Sequence, residues 1–335
     1  MDPPKPFPIL RLPFVPIQEV FKAMDPFEII NFSLISKRSK GITKQMTFYS
    51  KYSIQLSIGE ELEVTITGPK YMTQCYYIFT SKEEMSEKVE DNAFEGWNEI
   101  LVWKYSNNLV EDWKQLSKYV LEIFKKQTID LFSMMLDTFK DHNVSIIDFV
   151  KTNAKSVDDC HMFQAEDKNN VDEHAVYILE NIIITSELLL CLHIKSDDFI
   201  SKIPKNLKKF TILESQWVGY ERLLEIDCKS VVLEDDQISD KEWNLFIKKW
   251  IVMETNQNLE YLEIDHSELD VFRDRVLHDI PYKEIDGEVK RTFTTNLNET
   301  QEISGGIDIQ RIDGKTATFF VSRVFSTQRT AMIIH

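Results

Sequence analysis

The chain has 335 residues, of which 43% are hydrophobic and 28% are charged, and its formal net charge is −16 at pH 7. This composition is typical of a folded protein and excludes bulk disorder. The negative charge argues against nucleic-acid binding, which needs clustered cations.

The charge is unevenly distributed along the chain. Residues 1–52 carry eight Lys or Arg against four Asp or Glu, a net of +4, so the remainder carries −20.

The most apolar stretch, residues 182–194, is interrupted by Glu187 and His193, and we expect no transmembrane helix. The opening MDPPKPFP lacks the cationic and apolar regions of a signal peptide. Four dispersed cysteines without a CxxC pair indicate reduced thiols, and we expect a cytoplasmic or nuclear protein.

The first predicted helices lie in residues 10–48. Apolar residues follow the spacing i, i+3, i+4, i+7 at Ile17, Val20, Phe21 and Met24. This spacing predicts one apolar stripe on a short helix. Asp25 is a suitable N-cap for a second helix, with Pro26 at its first position and Glu28 completing a capping box.

This second helix is predicted over residues 27–36 and is apolar on nearly every side, and a basic segment follows over residues 37–47. Three helices this short cannot bury so much apolar surface among themselves. We therefore expect another surface to cover them.

This succession of residues resembles an F-box, the helical module that docks on the Skp-type adaptor of SCF ubiquitin ligases. The opening FPILRLPFVPIQEVFKAMDPFEIINFSLISKRSK is similar to the version in the large nematode F-box families. Downstream, KQMTFYSKYSIQL, DCKSVVLEDDQIS, LEYLEIDHSEL and GGIDIQRIDGKTAT resemble the F-box-associated domain of type 2. The third helix departs from the family pattern, because Ile42 or Phe48 stands where a tryptophan is often found. We assign to the adaptor interface the apolar residues Leu12, Pro13, Ile17, Val20, Phe21, Ile29, Ile30 and Leu34.

After the F-box-like segment the hydrophobic period changes to two. Alternating runs on either side of Gly59 predict a β-hairpin over residues 52–66, and residues 76–79 form a plausible third strand. Residues 80–108 have no clear pattern. A helix is predicted over residues 111–126.

Short strands and helices then alternate. Strands are predicted over residues 131–136, 157–162, 189–194, 207–212, 228–233 and 259–264, and helices over residues 145–153, 171–181, 217–226 and 240–252. This alternation favours an irregular leucine-rich-like α/β solenoid. The alternative is a doubly wound open sheet, which fits less well because no Gly-rich loop follows any strand. The sequence around Asp313-Gly314 predicts a terminal β-hairpin that caps the open end of the array.

The predicted fold is therefore an α+β or α/β repeat with four parts. These are a disordered lead-in (1–9), a three-helix F-box (10–50), a β-rich linking segment (51–108), and a leucine-rich-like, F-box-associated domain (109–335). The F-box and the strands are predicted to keep a fixed orientation, because no flexible spacer separates them.

No catalytic set emerges from the sequence. His161 and His193 share no metal-like spacing with a cysteine or an acid, and we expect no enzyme activity, cofactor or metal.

The resemblance implies a substrate-recruiting subunit of an SCF-type E3 ubiquitin ligase. Its partners would be a Skp-type adaptor, a cullin and a protein target, and neither nucleic acid nor membrane. Two alternatives stay open: a ligase-independent binding scaffold and a small-molecule α/β enzyme. The residues expected to face the target from the concave strand surface are His193, Lys209, Thr211, Val232, Tyr261 and Glu263.

Overall fold

The computed structural model describes residues 9–47, 52–69, 73–85, 88–94, 97–266, 268–294, 300–324 and 327–335. Of the predicted lead-in, residues 1–8 lie outside the described residues, and Ile9 begins a short 3₁₀ helix, Ile9–Arg11. The chain forms two compact units, Met1–Val157 (unit 1) and Asp158–His335 (unit 2). The predicted boundaries near residues 50 and 108 both fall inside unit 1, and as domain boundaries they stay predictions.

Unit 1 begins with three helices, α1 (Phe14–Ala23), α2 (Pro26–Leu34) and α3 (Lys37–Met46). The capping box predicted for α2 is confirmed. The Glu28 amide donates to Asp25 Oδ1 at 2.8 Å, and the Asp25 amide donates to Glu28 Oε2 at 3.1 Å. α3 begins at a similar cap, where Ser36 Oγ accepts from the Ser39 amide at 3.1 Å. Local side-chain chemistry therefore sets where these helices start.

A six-stranded mixed sheet forms the rest of unit 1 together with two helices. Its strands are β1 (Ser53–Ile58), β2 (Leu62–Thr67), β3 (Thr73–Thr80), β4 (Val89–Phe94), β5 (Trp97–Tyr105) and β6 (Thr128–Met135). Their spatial order is β6-β1-β2-β3-β5-β4. The antiparallel pair β1–β2 confirms the predicted hairpin, and the pairs β1–β6 and β3–β5 are parallel. The helices are α4 (Leu109–Ile123) and α5 (Asn143–Asn153).

Unit 2 alternates strands and helices, as the sequence predicted. The strands are β7 (Ser156–Phe163, which starts at the boundary), β8 (Ile184–Cys191), β9 (Lys209–Ile212), β10 (Ser230–Leu233) and β11 (Tyr261–Ile264). The helices are α6 (Asp172–Asn181), α7 (Gly219–Glu225), α8 (Asp240–Ile251) and α9 (Leu269–Val276). Strands β8 to β11 are parallel neighbours in chain order. The architecture is α+β, and the leucine-rich-like solenoid stays a prediction.

The end of the chain is larger than the predicted hairpin. Four antiparallel strands follow α9: β12 (Lys283–Thr294), β13 (Thr300–Gln310), β14 (Thr316–Val324) and β15 (Thr327–Ile334). The hairpin β13–β14 turns at Asp313-Gly314 as predicted, but it does not cap the parallel strands. β15 does so by pairing antiparallel with β11. The sequence missed this strand because its apolar residues come in one short run at the end instead of alternating.

Candidate functional site

The F-box helices bury half of the residues that the sequence assigned to the adaptor. Ile17, Phe21, Ile29 and Ile30 belong to the core of the chain itself. Leu12 and Val20 are half-buried, while Pro13 and Leu34 are exposed. The expectation that all eight face a partner is thus corrected: four are covered by their own chain and offer no surface.

Helix α4 contacts the helical segment at α2 and at α3. Ser33 of α2 shares a hydrogen bond of 2.8 Å with Tyr119 of α4, and Thr47 Oγ1 donates to the Ile123 carbonyl oxygen at 2.8 Å. Glu122 of α4 accepts hydrogen bonds from two lysines of α3, Lys40 at 2.9 Å and Lys44 at 3.1 Å. The sequence predicted that another surface covers these helices, and the adaptor was the expected one. Helix α4 of the same chain supplies part of that surface.

The helix α4 is in turn fixed on the sheet of unit 1. Trp113 is fully buried, and its indole Nε1 donates to the Glu63 carbonyl oxygen on β2 at 2.9 Å. An indole held both by packing and by a backbone hydrogen bond defines one position for the helix that carries it.

Four large apolar side chains of the helical segment stay exposed. Their exposed fractions are 50% for Phe14, 64% for Val15, 62% for Leu34 and 71% for Ile35. Nη2 of Arg38 donates to the Leu10 carbonyl oxygen at 2.9 Å, which joins the start of α3 to the residues that precede α1. We refer to these four side chains as the exposed apolar group.

A groove in unit 1 begins beside this apolar group. It has a volume of about 580 Å³, and its lining includes Leu34 and Tyr119 from the helices and Val89, Trp103 and Tyr105 from β4 and β5. These strands lie in the region where the sequence showed no pattern. The groove is a mixed surface, in which the charged or polar side chains of Lys104, Asp112 and Gln115 lie beside aromatic and aliphatic ones.

The row of residues expected to face a target is more buried than the sequence indicated. Thr211, Tyr261 and Glu263 are buried, and Val232 packs against an apolar cluster of Tyr261, Ile303, Phe320, Ala331 and Ile333. Strands β13 to β15 contribute most of this cluster. The assumption that Tyr261 lies outside the core is therefore wrong. His193 and Lys209 keep partial exposure.

An ionic network lies next to this cluster. The hydroxyl of Tyr261 donates to Glu263 Oε2 at 2.6 Å, and Arg329 pairs with both Glu234 and Glu263. Burial and the Glu263 charge raise the pKa of Tyr261, because both disfavour the phenolate. The opposite charges and hydrogen bonds thus offset the cost of removing these polar groups from water on a covered strand face.

His193 lies between two carboxylates that are distant in sequence, Asp167 and Glu214. Sequence spacing indicated no metal-binding set because the three residues belong to three different loops. The fold brings together a nitrogen and two oxygens of the types that bind metal ions.

The four cysteines are free thiols, three of them buried, and burial raises the pKa of Cys75, Cys160 and Cys228 to about 12. Among the residues that the structure describes, no helix combines the length and the apolar character needed to cross a membrane.

Comparison with known proteins identifies two domains and two relatives that match over most of this chain. The F-box domain matches residues 9–51, and the F-box associated domain matches residues 198–264. The chain is 22% identical over 341 residues to the Skn-1 dependent zygotic transcript 15 protein of Caenorhabditis elegans, covering 95% of this chain and 94% of that protein. It is 23% identical over 338 residues to the uncharacterized protein F59B2.9 of the same organism, covering 95% of this chain and 76% of that protein. No solved structure matches significantly. The chain therefore contains an F-box domain followed by an F-box associated domain, and both of these relatives are nematode proteins.

Proposed function

We propose that this protein recruits protein targets to an SCF-type ubiquitin ligase, with the F-box helices docked on a Skp-type adaptor and unit 2 holding the target. The observation that carries the proposal is the presence of an F-box domain and an F-box associated domain in one chain, which supports a substrate-adaptor role in general. Catalysis would come from the partner complex, which acts on a lysine that this protein positions. A cytoplasmic or nuclear location, and contact with a cullin through the adaptor, belong to the same proposal.

The exposed apolar group supports docking on the adaptor. Phe14, Val15, Leu34 and Ile35 are large apolar side chains that the rest of the chain leaves exposed, and we take them as the candidate contact surface. We assign to this interface the two exposed pairs together with Leu12, Pro13 and Val20, which keep at least partial exposure. Ile17, Phe21, Ile29 and Ile30 support the interface from below by holding the helices in place.

The adaptor interface is tested by adding a charge to it. We expect the full-length protein to bind a purified Skp-type adaptor with one-to-one stoichiometry. The double variant Leu34→Asp/Ile35→Asp should bind about 100-fold more weakly, because two carboxylates in a desolvated interface cost several kcal/mol. Titration calorimetry measures both affinities. Val144→Asp, at an exposed valine on α5, is the matched control and should bind normally.

Three results would change this proposal. Undiminished adaptor binding by the double variant would remove the exposed apolar group from the interface. A wild-type protein that binds no adaptor would favour the alternative of a ligase-independent scaffold, and a metabolite that co-purifies with the chain would favour the small-molecule enzyme.

The target side is tested through a residue that keeps exposure. Lys209 is partly exposed on β9 and forms an ion pair of 2.8 Å with Glu187 of β8. We expect Lys209→Glu to abolish target capture in cells treated with a proteasome inhibitor while adaptor binding stays unchanged. The Leu34→Asp/Ile35→Asp variant should give the opposite result. If both variants capture the same proteins as the wild type, the target site lies elsewhere on the chain.

A further inference from the structure

Three potential metal ligands meet where neighbouring strands of unit 2 end. Asp167 follows β7, His193 follows β8 and Glu214 follows β9. His193 Nε2 lies 3.1 Å from Asp167 Oδ1 and 2.7 Å from Glu214 Oε2, and the three atoms lie within 4.8 Å of one another. The set combines an imidazole with two carboxylates instead of acidic groups only.

A single glutamine holds the Asp167 loop against the strand end that carries His193. The side-chain amide of Gln164 donates to the carbonyl oxygens of Glu166 at 2.6 Å and Asn169 at 2.9 Å. Its Oε1 accepts from the His193 amide at 3.3 Å, and its own backbone amide donates to the Cys191 carbonyl oxygen at 3.1 Å. Gln164 thus connects the loop, at backbone groups on both sides of Asp167, to the chain at the end of β8.

Glu214 is fixed in a comparable way. The preceding residue, Leu213, donates its amide to the Leu190 carbonyl oxygen at 2.8 Å. The following residue, Ser215, is fully buried and donates both its amide and its hydroxyl to the Glu234 carbonyl oxygen, at 2.9 and 2.8 Å. A side chain between two anchored residues has a preorganised position, which favours ligand binding.

The thiol of Cys191 forms a hydrogen bond with Glu214. A contact of this kind orients the carboxylate, as outer-shell hydrogen-bond partners of metal ligands do.

We propose that Asp167, His193 and Glu214 bind one zinc ion, with water in the remaining coordination position. An imidazole with two carboxylates and an open position suits Zn²⁺, and bonds of about 2.0–2.2 Å separate neighbouring ligand atoms by about 3.4 Å. The observed separations would have to grow by about 0.3 Å at Asp167 and by about 0.7 Å at Glu214. Rotation about side-chain bonds can supply both changes, because the Asp167 side chain is 79% exposed and the Glu214 side chain is 33% exposed.

A bound zinc ion would tie three loops together at one end of the strands. This role is separate from adaptor docking, because all three ligands belong to unit 2. The alternative is a cluster without a metal ion, in which His193 only contacts the two carboxylates. The two possibilities differ in one measurable property, saturable binding of zinc.

Calorimetric titration of the reduced, chelator-treated full-length protein with zinc chloride tests the proposal. We expect one zinc per chain for the wild type. His193→Ala should weaken binding at least about 100-fold, because removing a ligand costs more than removing an outer-shell partner. Asp167→Asn, at an exposed loop position where misfolding is not expected, should weaken binding at least about 10-fold. His278→Ala is the matched control, since His278 is an exposed histidine 3.9 Å from a single carboxylate, Asp279, and it should bind as the wild type does.

Thermal unfolding supplies a second readout that does not depend on calorimetric heats. Zinc should raise the unfolding temperature of the wild type and of His278→Ala, because a ligand that binds the folded state stabilises it. It should not raise that of His193→Ala. A wild type that takes up no zinc, or variants of His193 and Asp167 that bind zinc as tightly as the wild type, would overturn the proposal.

Discussion

Ser33 of α2 and Tyr119 of α4 share a hydrogen bond of 2.8 Å although 86 residues separate them in the sequence. The serine hydroxyl also donates to the Ile30 carbonyl oxygen at 2.6 Å, so the contact connects α4 to the backbone of an F-box helix. In this protein the F-box helices are therefore one face of unit 1 and not a separate module on a tether.

Ile30→Ala should destabilise α4 as well as α2. Ile30 is fully buried, and truncating a buried isoleucine costs about 2–5 kcal/mol. Hydrogen exchange in residues 109–123 should accelerate together with exchange in residues 26–34. Leu34→Ala, an exposed aliphatic residue of the same helix, is the control and should change stability by less than about 0.5 kcal/mol. Unchanged exchange in α4 on truncation of Ile30 would show that the two helices unfold independently.

The ion pair of Arg311 and Asp313 should make unit 2 sensitive to acid. Arg311 is buried over the ring of Trp250, 5.1 Å from its centroid, and its hydrogen bonds to Asp313 lower the pKa of that carboxyl from 3.8 to about 2. Because the folded-state pKa lies below the unfolded value, the stabilisation is complete above about pH 4 and is lost as the pH falls towards 2.

Thermal unfolding of the wild type and of Asp313→Asn between pH 7 and pH 2 measures this dependence. The wild type should be more stable at neutral pH, and the difference should shrink below pH 4. Asp141→Asn, at an exposed position in unit 1, should change the unfolding temperature little at any pH. A difference between the wild type and Asp313→Asn that persists undiminished at pH 2 would contradict the proposed role of the pair.

Gly306→Ala should destabilise the C-terminal strands. Gly306 has a φ of +121°, and an added Cβ would lie 2.7 Å from the Phe319 carbonyl oxygen on the neighbouring strand. Left-handed strain and a backbone clash together should cost more than about 1 kcal/mol. Gly287→Ala in β12 is the control, since its added Cβ meets nothing within 4 Å. Chemical denaturation of both variants checks the expectation, and equal stability would exclude a close approach of β13 and β14 at this point.

Tyr261→Ala should lower the stability of unit 2, although the sequence placed this side chain on an open surface. It fills the apolar cluster with Ile303 and Ile333, and removing a buried aromatic ring costs about 3–5 kcal/mol. Tyr261→Phe keeps the ring and removes the hydroxyl that donates to Glu263, at a cost of about 1–3 kcal/mol. Thermal unfolding should rank the wild type above the Phe variant and the Phe variant above the Ala variant. Equal stability of all three proteins would show that the Tyr261 side chain does not stabilise unit 2.

Local patterns in the sequence were enough to predict the elements that local chemistry determines. The capping box at Asp25 and Glu28 and the turn at Asp313-Gly314 depend on residues three or fewer positions apart. The strand predicted over residues 228–233 was identified from a local apolar pattern in the same way. This pattern did not show which strand face another part of the chain covers, because the covering strands β13 to β15 lie more than 65 residues further on.

The same limit applies to the candidate sites. No spacing rule connects Asp167, His193 and Glu214, because each residue follows a different strand and only strand pairing makes them neighbours. Leu34 and Ile35 are exposed, whereas Ile29 and Ile30 in the same apolar run are buried. Sequence periodicity identified apolar residues, and tertiary packing decided which of them face solvent.

The position of β15 bears on how the protein is made. Residues 327–334 pair with β14 on one side and with β11 on the other. During synthesis, β11 and β14 therefore have unpaired edges until these residues leave the ribosome, and unpaired strand edges promote association with other chains. A product of premature termination before residue 327 would keep both edges open and would be a substrate for chaperones or for degradation.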